Sequence, residues 1–134
     1  MKFTKLLMAL LASAALLAGC GGVDRSSPDA VAIAFATAVC KGDAQAAMDL
    51  LHFEEGTTDE AKKAKFETLR TQVESSKKQA DGMGGLKSME VTNKKTRDKD
   101  TNRVLVDLRM HFANKDEGAR VEVIRVGDKW DVLL

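Results

Sequence analysis

The sequence predicts an α+β domain, helices first and an antiparallel sheet after them. Three observations carry that reading. Between residues 27 and 81 apolar side chains recur at spacings of three and four, the period of a helix with one buried face. From Val104 onward the period shortens to two, the signature of a half-buried strand. The two patterns occupy separate halves of the chain and do not alternate, which excludes a βαβ arrangement.

The first residues belong to neither half. Met1 to Lys5 carries Lys2 and Lys5, and Leu6 to Ala18 is a run of thirteen small or apolar residues broken only by Ser13. A basic start, a short apolar stretch and a small-residue exit is the layout of a secretory signal. The run falls short of the ~20 apolar residues a spanning helix needs. At its end, Leu17-Ala18-Gly19-Cys20 resembles the bacterial lipobox. That resemblance implies cleavage between Gly19 and Cys20 and a lipid on the Cys20 sulfur, with the new amine open to acylation. It divides the chain into a signal peptide (1–19), a lipidated tether (20–26) and a folded domain (27–134). The place implied is the bacterial cell envelope. Gly21 after the cysteine points, in a cell with two membranes, to the outer membrane facing the periplasm.

Cleavage would leave 115 of the 134 residues, enough for one domain, with 19 basic side chains against 20 acidic once Lys2 and Lys5 are gone. A balance so near neutral argues against nucleic acid as a partner. With Cys20 lipidated, Cys40 is the remaining thiol, so no internal disulfide supports the fold. Trp130, five Phe and no Tyr leave a core built mainly of aliphatic residues and Met.

Ser27-Pro28-Asp29 opens the first helix: Ser caps, Pro suits the first turn, and Asp meets the positive end of the dipole. Val31, Ala34, Phe35, Ala38 and Val39 form its apolar face, and Lys41-Gly42 ends it. Asp43 caps a short second helix with Met48, Leu51 and Ala44 as its expected buried side. Thr57-Thr58-Asp59-Glu60 has capping-box spacing and starts a third helix. Its stripe is Ala61, Phe66, Leu69, Val73 and Ala80, fading after Ser75, so the last turns are expected to fray. Gly82-Met83-Gly84-Gly85 closes the helical half.

Leu86 to Thr96 is a weak strand candidate, followed by a polar turn at 98–102. Val104, Val106, Leu108, Met110 and Phe112 alternate with polar residues, apart from Leu105, and make the clearest strand. A turn at 114–118, a strand over 119–126, the hairpin Gly127-Asp128 and a last strand with Trp130 and Val132 on one face complete a four-stranded meander.

Ser27-Pro28-Asp29-Ala30-Val31, Phe35, Lys41-Gly42-Asp43-Ala44 and Leu50-Leu51 at one end, with Gly127-Asp128-Lys129-Trp130-Asp131-Val132 at the other, resemble small bacterial lipoproteins with an NTF2-like domain of unknown function. The resemblance implies the cystatin-like, NTF2-like cone: a curved antiparallel sheet around a long helix, with a cavity at the wide end. Cones of this kind serve as enzymes, ligand binders and docking modules, so the fold does not select among them.

The chemistry-bearing residues narrow the choice. His52 and His111 lie on different elements without Cys, His or clustered carboxylates at ligand spacing, so no metal site and no cofactor is expected. His111 has solvent parity; His52, between Leu51 and Phe53, is the better candidate for partial burial. Acid–base catalysis needs a titratable group inside the cone, whereas the inward parity of the best strand is apolar, so no catalytic residue is assigned. Cys40 reads as a small apolar residue or inert thiol. Lys94, Lys95, Arg97, Lys99 and Arg103 form a basic cluster at one turn, either a solvated hairpin or an attraction to anionic headgroups near the tether. The expectation is a membrane-anchored, non-catalytic protein. Its cone, with a lining of Phe35, Met48, Leu51, Phe66, Met110 and Trp130, takes an apolar small molecule or an envelope protein partner. Enzymes using an acid–base residue in the cavity, and passive structural components of the envelope, are the alternatives.

Overall fold

Ser27 caps the first helix as its residue type dictates: in the computed structural model, which describes residues 23–97 and 99–134, the Ala30 N–H donates to Ser27 Oγ at 3.1 Å. The expected signal peptide, the Gly19–Cys20 junction and the lipidated cysteine lie outside the described residues. Helix α1 runs Pro28–Lys41 and ends at Gly42, whose φ of 79° is the left-handed region. A Cβ there would stand 2.5 Å from Lys77, so the position suits glycine twice over. Asp43 caps α2 (Ala44–Asp49) by accepting from the Ala46 N–H. Its fully buried residue is Ala47, with Met48 and Ala44 only half-buried, and the burial expected of Leu51 comes after the helix has ended. Thr58 caps α3 (Asp59–Gly82), accepting from the Ala61 N–H at 3.1 Å.

Helix α3 departs from expectation at both ends. Its first seven residues, Ala61 included, are exposed. Fourteen residues of α1 span about 21 Å against about 36 Å for the twenty-four of α3, so α1 and α2 are too short to cover it all. Its last turns do not fray. Ala80 is buried, Lys77 pairs with Asp81 at 2.8 Å, and the Asn114 N–H donates to the Met83 carbonyl, tying the helix end to the sheet. Gly84 allows that close approach, with φ 88° and a hypothetical Cβ 2.5 Å from Ala113.

The sheet is an antiparallel meander in the order β1-β2-β3-β4, formed by Leu86–Arg97, Asp100–Phe112, Asp116–Val126 and Lys129–Leu133. Both polar turns are shorter than read from sequence. Strand β2 already pairs at Asp100, and β3 already pairs at Asp116, opposite His111. The outer face is solvated, so polar side chains there do not interrupt the ladder. Register shifts along β1 bend the sheet. Helix α1 sits in the hollow against all four strands, while the long α3 packs on α1 and α2; the sheet therefore curves around α1. Val104, Val106, Leu108, Val121, Val123 and Val132 form the sheet side of the core, and Val31, Phe35, Leu69 and Val73 form the helix side.

The domain reaches further toward the N-terminus than residue 27. The Trp130 N–H donates to the Arg25 carbonyl at 2.9 Å, and Ser26 is locked to the Asp24 carboxylate. Arg25, assigned to the tether from sequence, is fastened to β4, and Ser26 is held to its neighbour Asp24. Among the described residues, no helix is long and apolar enough to cross a membrane.

Candidate functional site

At one end of the sheet the packing opens into a cavity of about 380 Å³. Helix α1 supplies Phe35, Ala36, Val39 and Cys40, which follow one another at helical spacing down its sheet-facing side. From α3 come Ser76, Gln79 and Met83. The floor is the end of the β2–β3 hairpin, with Met110 and Phe112 on one strand and Glu117, Ala119 and Val121 on the other. These strand residues share the inner face because Met110 is paired with Glu117 and Leu108 with Ala119. Ala36 and Ala119 line the space with short side chains, one from α1 and one from β3.

The walls are mostly hydrocarbon and sulfur. Cys40 Sγ lies 3.8 Å from Met110 Sδ, and burial pushes the Cys40 thiol up, so it stays protonated and weakly nucleophilic. The polar groups on the lining are Ser76, Gln79 and Glu117. Glu117 sits at the rim, half-exposed and 3.3 Å from Lys115. Arg120 borders the space but commits its guanidinium to Asp107 in a two-pronged pair, at 2.7 and 3.3 Å, holding that carboxyl below its usual range. Neither histidine lines the cavity.

Of the six residues expected to line it, the structure brings two together there, Phe35 and Met110. Met48 and Trp130 are half-buried against the core, Leu51 bridges to Val132, and Phe66 is half-exposed on α3. Each has the inward parity or periodicity that suggested it. Periodicity assigns a face but not a level along the element, and these four lie at the wrong level. Val39 stood on the expected helix stripe, and Ala119 opened an expected strand. Cys40, Gln79 and Glu117 had no pattern to betray them.

A second cluster lies elsewhere. His52 Nδ1 is 3.2 Å from one Asp131 carboxylate oxygen, and the Arg25 guanidinium binds the other. Arg25 also donates to the Asp49 carbonyl at 3.0 Å. Backbone bonds run beside them, from the His52 N–H to the Val132 carbonyl and from the Val132 N–H to the Leu50 carbonyl, both 2.7 Å. A histidine–aspartate pair can serve catalysis when the other ring nitrogen meets a nucleophile. Here it faces Glu54 at 3.7 Å, and the cluster works as a latch joining the N-terminal segment, the end of α2 and β4. His111 binds Asp116 at 2.9 Å and Glu90 at 3.3 Å on the outer face. Among the described residues, no three of His, Cys, Asp and Glu converge as metal ligands would.

The geometry has counterparts. The crystal structure of a Campylobacter jejuni protein named "Putative NTF2-like transpeptidase" superimposes with a TM-score of 0.69 over 78% of this chain and 94% of that one, at 22% identity. At that identity the likeness establishes the fold. A comparison with curated proteins yields no match. The family described as Domain of unknown function (DUF4878) matches residues 18–133. Helices on a curved four-stranded meander, a structural counterpart with the same NTF2-like fold, and a family match over residues 18–133 lead to one statement: this chain is a member of the DUF4878 family, a domain of unknown function.

Proposed function

We propose that the domain binds a small apolar molecule in the cavity between α1, α3 and the β2–β3 hairpin, while lipid on Cys20 holds it at a bacterial envelope membrane. In a two-membrane cell this is the outer membrane, facing the periplasm. The observation that carries the binding reading is the cavity itself. Its volume of about 380 Å³ lies in the range of ~300–1,000 Å³ usual for small-ligand sites. Apolar walls with polar groups at the rim favour a hydrocarbon body with a polar end left near solvent. That size favours a small molecule over an envelope protein as the occupant.

A catalytic reading has one specific prompt, the name of the Campylobacter jejuni protein. Group transfer by a covalent route needs an activated nucleophile. The cavity offers the Cys40 thiol, which burial holds protonated, and no histidine stands beside it as a base. These features support binding without catalysis.

The test is titration with N-phenyl-1-naphthylamine, an apolar fluorophore, against the native chain and a Val39→Trp variant. Val39 is half-buried on the cavity wall, so the larger ring fills the space without entering the core. Saturable one-to-one enhancement by the native chain, weakened at least about tenfold in the variant, is expected, as ~1.4 kcal/mol per decade would require from lost apolar contact. Equal binding by both chains, or no saturable binding by the native one, would contradict the reading.

A further inference from the structure

The cavity and the anchor lie at opposite ends of the sheet, and this has a consequence for where the ligand comes from. Strand β3 sets the scale: Glu117 stands on the cavity rim, and Val126 stands nine residues further on at the β3–β4 turn. At ~3.3 Å per residue the two are roughly 30 Å apart. Helix α1 agrees, with Cys40 on the cavity at its C-terminal end and Ser27 capping the other.

The chain enters the domain at the Val126 end. Arg25 is bonded through its carbonyl to Trp130, the residue paired with Arg125, and Arg25 is further held by the latch to Asp131 and Asp49. Val23, Asp24, Arg25 and Ser26 share a shallow depression with Asp128 and Lys129 of the β3–β4 turn. Cys20 is three Cα steps from Val23, a reach of at most about 11 Å. A lipid on Cys20 therefore holds this end, and not the cavity end, at the headgroups. The end also carries two of the exposed large apolar side chains, Val23 and Val126, with Arg125 and Lys129 around them. Long basic side chains of that kind lay their stems along an apolar surface while keeping the charge in water.

Charge attraction is not needed to seat it. The β1–β2 turn, with its basic cluster, lies at the same end, since Thr96 is opposite Val104 and Val104 opposite Val123. Three members of the cluster are already paired within the domain: Lys94 with Asp29 at 3.0 Å, and Arg97 and Arg103 with Glu122 at 3.2 and 2.9 Å. Covalent reach is enough to hold this end at the headgroups.

We infer that the end formed by residues 23–26 and the β3–β4 turn rests on the phospholipid headgroups of the anchoring membrane, so that the cavity mouth opens roughly 30 Å out, away from that membrane. The inference rests on lipidation of Cys20. Its functional consequence is that the ligand enters from the aqueous side, delivered by a soluble carrier or an opposing surface, and is not drawn from the leaflet that holds the protein.

The experiment uses the full chain with Cys40→Ala, purified from membranes and placed in phosphatidylcholine vesicles. A cysteine is introduced at Val126→Cys or Glu117→Cys and labelled with an environment-sensitive fluorophore. Both positions are exposed or half-exposed, so neither label enters the core. Mass spectrometry of the N-terminal peptide is read first. Headgroup-attached nitroxide lipids are expected to quench the label at 126 several-fold more than the label at 117. Equal quenching, or stronger quenching at 117, on a lipidated chain overturns the orientation alone. An unmodified thiol at position 20 overturns the anchor and the orientation with it.

Discussion

The two ends of the sheet share strands β1 to β3, with β4 added at one end alone, and are packed differently. Toward the β3–β4 turn, Val123 and Val132 lie back to back with Leu50 and Leu51, all close to fully buried, and the Arg25–Asp131–His52 latch closes the edge. Toward the β2–β3 turn the central strands β2 and β3 carry Met110, Phe112 and Ala119 around a space of about 380 Å³. One end is filled and cross-tied; the other is left open under the end of α3. Stability is rarely uniform across a domain, and binding sites tend to be drawn from its less tightly packed parts. Here the division runs along the strands.

Truncation at matched positions should expose that division most strongly. Leu50→Ala removes a buried side chain from the filled end and is expected to cost ~2–5 kcal/mol. Met110→Ala enlarges a space that already exists and is half-open to water, so its cost should fall below about 2 kcal/mol. Urea melts of the two variants give the comparison; equal losses would erase the distinction between the ends.

The latch comes next in size. Asp131→Ala leaves Arg25 and His52 without their shared partner at a site about one-fifth exposed, and a loss of about 1–3 kcal/mol is expected. Amide exchange should quicken first at Trp130, whose N–H is held by Arg25. If exchange quickens uniformly, the latch is not a local closure of this end.

Smaller again is the outer face. Glu122→Gln breaks its pairs with the exposed Arg97 and the partly exposed Arg103, and should change stability by about 0–1 kcal/mol while leaving probe binding untouched. A larger loss would mean that the solvated face does more than hold register.

The pH dependence should be the mildest effect. Hydrogen bonds that His111 donates to Asp116 and then to Glu90 raise its pKa. That stabilising contribution is fully present below the unfolded value, about 6.5, and is lost as pH rises through the higher folded value. Asp107 behaves oppositely. Its bond to Arg120 lowers its pKa, so its contribution is present above the unfolded value of about 3.9 and lost as pH falls through the folded one. Melting temperature against pH for His111→Gln and Asp107→Asn checks both signs, and curves parallel to the native one would deny either coupling.

Much of the fold was legible because local chemistry and tertiary packing agree. Ser27, Asp43 and Thr58 cap where their side chains allow it, and the inward parity from Val104 to Phe112 survives intact. The polar turns are shorter than their composition suggests because β2 already pairs at Asp100 and β3 at Asp116, and an exposed polar residue such as Asp116 does not end a strand. The last turns of α3 were expected to fray because the bonds holding them come from Gly85 and Asn114, later in the chain. The site was legible only in part. Phe35 and Met110 follow from parity, whereas Gln79 and Glu117 join them because α3 ends and β3 begins at the same level. Nothing in a linear period encodes that level. The Arg25–Asp131 pair spans 106 residues, so it too is invisible to any local pattern.

The proposed binding of an apolar ligand at the open end can be read residue by residue. Its most direct test is amide shift mapping of the folded domain during titration with N-phenyl-1-naphthylamine. Perturbations at Val39, Cys40, Gln79, Met110 and Ala119, with His52 and Asp131 unmoved, are the predicted result. Shifts centred on the latch, or none that saturate, would contradict it.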